Sequence, residues 1–138
     1  MKRPSYIRIS GIVFIAGLLF ISGCSKHDIQ ETGFLEGVIS IGPICPVESI
    51  PPDPACLPTA ETYKAYPVSV WTSNGKRKTA QINPALDGSF RTELAPGYYL
   101  VILEKEQNMV GGSNLPVEVL INSQDKTILN INIDTGIR

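Results

Sequence analysis

Residue types that carry most enzymatic chemistry are scarce in this chain of 138 residues. Its one histidine, His27, lies in a polar stretch near the N-terminus. A Ser–His–Asp or Cys–His nucleophile needs a base within hydrogen-bond reach, and a histidine on a tether does not supply one. Paired carboxylates can act as acid and base. The candidates are Asp87 with Glu93 and Glu104 with Glu106, all in positions that also suit solvated turns and strand faces. Gly111-Gly112 lacks the Lys-Ser/Thr that a phosphate-binding loop requires. Calcium at Asp87 would need further oxygen ligands. No catalytic residue, metal or cofactor is therefore expected. The remaining candidates are binding groups. Trp71 falls on the outward side of its segment by alternation, and Tyr63 and Tyr66 flank the start of that segment. Together they could form a platform for a sugar or peptide. Lys76-Arg77-Lys78 is a short basic run beside an Asn-Gly turn and reads as a solvated tip.

The N-terminus is organised as an address. Lys2, Arg3 and Arg8 precede an uncharged run from Ile9 to Ser22, which ends at Gly23-Cys24 and gives way to Ser25-Lys26-His27-Asp28. A basic start and a short apolar run are the layout of a signal peptide. A membrane-spanning helix needs about 20 apolar residues. Ile21-Ser22-Gly23-Cys24 resembles the lipobox of bacterial lipoproteins, in which an aliphatic and two small residues precede the cysteine. The resemblance implies cleavage before Cys24, a diacylglyceryl thioether on it, and a further acyl chain such as palmitate on its new amino group. Two or three chains meet the requirement for stable anchoring. Ser25 resembles the outer-membrane sorting choice of two-membrane bacteria. The expected location is the bacterial cell envelope, with the membrane as partner through the lipid, and an envelope protein or glycan as further candidates.

Charge agrees with that placement. The whole chain has 12 basic and 13 acidic residues. Loss of residues 1–23 removes Lys2, Arg3 and Arg8 and leaves an acidic remainder, so no nucleic-acid partner is expected. Residues 24–33 read as a lipidated tether.

Cys45 and Cys56 remain after Cys24 is assigned to lipid. An even pair in an oxidising envelope suggests a disulfide. Free thiols are the alternative; a zinc site would want about four ligands. The pair frames a stretch, 42–58, that contains six prolines. Proline fixes φ and removes a donor, so neither helix nor central strand fits there. The stretch is either a stapled connector or a stiff recognition loop, within a longer irregular segment, 42–66.

From residue 34 onward apolar residues alternate with polar ones. Strands are expected at 34–41, 67–72, 78–83, 89–94, 98–104, 115–121 and 127–134. Leu35, Ile39 and Ile41 share one face with Gly37; Val68 and Val70, Phe90 and Leu94, and Leu129, Ile131 and Ile133 repeat the pattern. Leu100 and Ile102 make the second side of 98–104 apolar too. Turns are expected at Ser73-Asn74-Gly75-Lys76, Asp87-Gly88, Pro96-Gly97 and 122–125. No long helical period occurs after residue 24. Short strands with frequent turns describe a sandwich or barrel.

Asp87-Gly88-Ser89-Phe90, followed by Leu94-Ala95-Pro96-Gly97-Tyr98-Tyr99-Leu100-Val101, resembles the signature of carboxypeptidase regulatory-like domains, Asp-Gly-x-Phe then Leu-x-Pro-Gly-x-Tyr-x-Val. Gly37-Val38-Ile39 and Pro67-Val68-Ser69-Val70 are similar to the family's opening strands. The resemblance covers 34–134, leaving 135–138 as a tail. It implies an all-β, seven-stranded Greek-key β-sandwich of the prealbumin (transthyretin-like) type, and an accessory, adhesive or structural role rather than an enzyme. The long proline segment departs from the minimal pattern of the family.

Overall fold

A computed structural model of the chain describes residues 31–47, 49–104 and 111–138. The signal segment, Cys24, His27 and Glu106 lie outside the described residues. Strand β1 (Gly33–Gly42) leads through a single 3-10 turn (Pro54–Cys56) and helix α1 (Ala60–Ala65) to β2 (Val68–Thr72). Then follow β3 (Lys78–Ile82), β4 (Ser89–Leu94), β5 (Gly97–Leu103), β6 (Val117–Ile121), β7 (Lys126–Ile128) and β8 (Ile131–Asp134).

Two sheets form. In the first, β1 is central, with β4 antiparallel on one edge and β7 then β8 parallel along the other. The second is the antiparallel order β3-β2-β5-β6. The chain changes sheet at the β1–β2, β3–β4, β4–β5 and β6–β7 connections, which is the expected Greek-key winding. The alternating apolar residues meet between the sheets. Leu35, Ile39, Ile41, Phe90, Leu94, Ile131 and Ile133 face Val68, Val70, Ile82, Tyr99, Val101, Val119 and Ile121, and all are buried. Each side chain contributes about 1.5–3 kcal/mol of gross burial.

The expected last strand, 127–134, is two strands. Both keep one register against β1, since Phe34 pairs with Lys126 and Ile39 with Ile131. Between them the backbone leaves the ladder. Leu129 N–H still donates to the Glu36 carbonyl at 2.8 Å, but the Val38 N–H turns to the Asn130 Oδ1 at 3.3 Å. Gly37 permits this detour: a Cβ there would lie 1.8 Å from the Leu129 carbonyl oxygen.

The proline-rich segment also holds a helix that alternation does not reveal. Thr59 Oγ1 accepts from Thr62 N–H (3.3 Å) and Thr62 Oγ1 accepts from Thr59 N–H (3.0 Å), a reciprocal cap. Six residues are too few to show a helical period, and Pro67 prevents continuation. Expected turns appear at Asn74-Gly75, where Gly75 N–H donates to Thr72 O at 2.7 Å, and at Asp87-Gly88. The outer face of the first sheet mixes charged groups with Phe34, Val38 and Ile128. Glu36 lies 3.2 Å from Arg91 and 3.7 Å from Lys126, and the Arg91 guanidinium stacks 3.8 Å from the Phe34 ring centre.

Candidate functional site

Cys45 and Cys56 form a disulfide, as expected of the even pair. It closes the loop that follows β1 back onto the 3-10 turn. That turn is capped by Asp53, whose Oδ1 accepts from Ala55 N–H at 2.9 Å. Most described residues of the loop are exposed; Ile44 packs against the core. Inside the loop is a pocket of about 280 Å³ lined by Ile41, Pro43, Ile44, Pro52 and the two cysteines.

The three aromatic candidates separate. Trp71 points to the outer face of the second sheet, as alternation predicts. There its Nε1–H donates to Ser69 Oγ at 2.8 Å. Ser69 shares that face and is nonetheless fully buried. A bulge between Val70 and Trp71 skips Thr79 and sets Lys78 opposite Trp71. Lys78 Nζ then reaches Glu104 at 3.0 Å and Gln81 Oε1 at 2.5 Å. The lysine, followed by Ser69, holds the Glu104 carboxyl below the usual glutamate range. Tyr63 is carried by α1 into the core, on the inner side of the same sheet. Tyr66 is half-buried against the core.

Strand register extends the Trp71 face. Trp71 pairs with Leu100, Leu100 with Glu118, Tyr98 with Leu120, and Ser69 with Ile102. Trp71, Tyr98, Leu100, Ile102 and Leu120 therefore share one face, with Lys78, Glu104 and Glu118 among them. Tyr98 is 60% exposed and Leu120 42%. The second apolar side of β5, visible as Leu100 and Ile102 in the sequence, is the signal that locates this surface.

A second set of features surrounds Tyr63. One cleft, about 490 Å³, runs between α1 and the β3–β4 connection; another, about 510 Å³, lies between β1 and Leu57-Pro58. Tyr63 and Leu86 line both. Burial raises the Tyr63 phenol above its ordinary value, and the nearby Asp87 carboxylate adds to the effect. Asp87 accepts from the Ser89 hydroxyl (2.6 Å) and the Ser89 N–H (3.0 Å), which holds it below the ordinary aspartate range.

These groups do not assemble acid–base chemistry. Asp87 precedes β4 and Glu93 lies near its far end, about 20 Å along the strand. Glu93 is occupied instead by Thr32 Oγ1 at 2.5 Å. Among the described residues, no group of three or more His, Cys, Asp or Glu side chains could hold a metal ion.

The architecture defines a two-sheet, prealbumin-like β-sandwich. No family model and no curated protein matches the chain. Solved structures do. GBS52, the minor pilin of the gram-positive pathogen Streptococcus agalactiae, is 14% identical with a TM-score of 0.50; the match covers 77% of this chain and 45% of that one. The TIE protein of Bacillus anthracis is 12% identical with a TM-score of 0.45, over 76% of this chain and 17% of that one. A DUF3823 family protein of Parabacteroides merdae is 16% identical with a TM-score of 0.43, over 74% and 45%. The chain thus spans less than half the length of each. The pilin likeness is one of fold, and folds host many activities.

Proposed function

We propose that the protein is a non-enzymatic module of the bacterial cell envelope, a carboxypeptidase regulatory-like sandwich tied to a membrane by lipid on Cys24 and used for structure or protein interaction. The observation that carries this reading is the apolar outer face of the second sheet. Five apolar or aromatic side chains share it with a few charges, a composition suited to protein contact. Geometry adds a direction. The tether joins β1 at Gly33, and the disulfide loop leaves β1 at Gly42, about 30 Å further along. A lipid on Cys24 would therefore place the disulfide loop, α1 and the Asp87-Gly88 turn at the end away from the membrane.

The ligand-binding alternative combines the 42–58 loop with Trp71. The pocket inside the loop, about 280 Å³, falls below the ~300–1,000 Å³ of small-molecule sites. A larger cleft, about 510 Å³, touches the loop at Leu57-Pro58, but Trp71 lines neither. The interaction reading therefore stands first. Its test is a photo-crosslinking residue placed at Leu120 in cells. One discrete adduct, lost with Leu100→Lys, is expected; no adduct, or a smear unaffected by that change, refutes the interaction role. Membrane fractionation of Cys24→Ala tests the anchor. The variant should become soluble; if it stays with lipid, the anchor assignment is wrong.

A further inference from the structure

Strand β1 is longer than its antiparallel partner, and the excess leaves a usable edge. β1 has ten residues and β4 has six. Their pairing runs from Gly33↔Leu94 to Val38↔Ser89. One more rung follows, Ile39 N–H to the Gly88 carbonyl at 2.8 Å. Then the chain folds away: Gly88 N–H donates to Ala85 at 2.9 Å, and Gly88, at φ +82°, sits so close that a Cβ would be 2.3 Å from the Ile39 carbonyl oxygen.

The opposite edge of β1 fixes which residues point which way. Glu36 and Gly42 carbonyls accept from Leu129 and Thr135 N–H at 2.8 and 3.1 Å, so even-numbered residues turn toward β7 and β8. Odd-numbered residues turn toward β4. Ile41 is odd, and β4 has ended before it. Its N–H and C=O face that side with no backbone partner among the described residues. Unpaired strand groups are a template for another strand.

A groove adjoins this edge. It measures about 510 Å³ and is bounded by Ile39–Ile41 on one side and by Leu57, Pro58 and Leu86 on the other. Leu86 is 70% exposed and Leu57 49%. Asp87 stands at its rim, ionised and held by Ser89. Donor and acceptor groups on one wall and apolar side chains on the other match an extended polypeptide, whose backbone pairs and whose alternate side chains bury.

We propose that this groove receives an extended peptide segment of a partner protein, added antiparallel to β1 in line with β4. The segment is three or four residues long, with an apolar residue at alternate positions and a Lys or Arg next to Asp87. The residue opposite Ile41 exchanges two backbone hydrogen bonds with it. The proposal rests on the reading of the chain as an interaction module, but on a surface separate from the Trp71 face.

Amide hydrogen exchange on the full chain in detergent micelles tests it. In the free protein the Ile41 amide should exchange at least about tenfold faster than those of Leu35 and Gly37, which are paired to β4. The probe is acetyl-Val-Thr-Val-Lys-amide, whose C-terminal Lys falls at the Asp87 end of an antiparallel strand, with versions carrying Leu or Phe for Val and Ser or Glu for Lys. At about 5 mM, a concentration suited to a site of two hydrogen bonds and two side chains, Lys-bearing peptides should slow Ile41 exchange about tenfold. N-methylation of the pairing residue, or Leu86→Asp in the protein, should abolish the effect. An Ile41 amide already protected in the free chain overturns the proposal. So does a panel in which no peptide slows it. The Leu120 crosslink separates the two ideas: an adduct retained alongside a silent Ile41 sinks the groove alone, whereas peptide binding without an adduct sinks the Trp71 face.

Discussion

Gly37→Ala should be the most damaging conservative change in the first sheet. The new methyl would stand 1.8 Å from the Leu129 carbonyl oxygen, 2.7 Å from its carbon, and 3.2 Å from Phe90 Cε1. A carbon normally meets a carbonyl oxygen at about 3.3 Å, so roughly 1.5 Å of separation must be found. Neither neighbour yields easily. Leu129 is backbone, fixed through its N–H to Glu36, and Phe90 is buried in the core. Overpacking alone costs about 1–3 kcal/mol. Pushing 129–130 outward also endangers the Leu129–Glu36 and Val38–Asn130 hydrogen bonds, at about 0.5–1.5 kcal/mol each. The expected loss is about 2–4 kcal/mol, or a fall in Tm of at least about 10 °C for a domain of this size. Urea unfolding followed by the emission of Trp71, the only tryptophan, measures it. Gly42→Ala is the control, in the same strand with nothing within 4 Å of the added methyl. It should stay within about 0.5 kcal/mol of wild type. If Gly37→Ala does the same, the close approach of Leu129 is not a feature of the folded protein.

Three further outcomes are expected. Replacing Cys45 and Cys56 together by serine should lower stability by up to about 2.8 kcal/mol, the chain-entropy value for a loop of 11 residues, and no loss at all would mean the loop is equally restricted without its bond. Ser69→Ala leaves the buried side of Trp71 without its acceptor; a loss of about 0.5–1.5 kcal/mol and a shifted emission maximum should appear together in a urea titration. Tyr63 has a raised folded-state pKa, so its contribution is complete below its ordinary value of 10.0 and is lost as pH rises through the higher folded value. Tyr63→Phe cannot ionise, so its unfolding free energy should decline less steeply than wild type above about pH 10, and identical slopes would refute the assignment.

Alternation was enough to locate the strands because each lies with one face on the core, and that burial imposes a period of two. It failed where something beyond local pattern decided the backbone. Asn130 has the polarity of an outward strand residue, and nothing near it announces that its side chain will replace a backbone acceptor. The cause is the missing Cβ at Gly37, on a strand distant in sequence. The Thr59–Thr62 cap was readable in principle, since Pro58-Thr59 precedes a short run of helix formers, but a helix of six residues has no period to detect. Tyr63 looked like a companion of Trp71 because both flank or occupy one strand. The cap rotates α1 so that Tyr63 enters the core, while the alternation of β2 sends Trp71 outward.

The open edge at Ile41 is a different kind of feature, a mismatch between two elements rather than a property of either. The alternating pattern already makes 34–41 longer than 89–94. A hairpin of equal strands would have hidden every rung, but here Asp87-Gly88 forces the turn before β1 is finished. The proline-rich segment cannot fill the gap as a strand, because proline withholds the donors a ladder needs. Its rigidity and the Cys45–Cys56 bond instead tie it back beyond Gly42, and Leu57 and Pro58 end up across the groove from Ile41. The irregular course of this segment and the Ile41 backbone groups unpaired among the described residues therefore have one physical origin. The proline-rich segment builds a wall beside this edge, and the Ile41 backbone groups left without a backbone partner among the described residues are the ones the proposed peptide would pair.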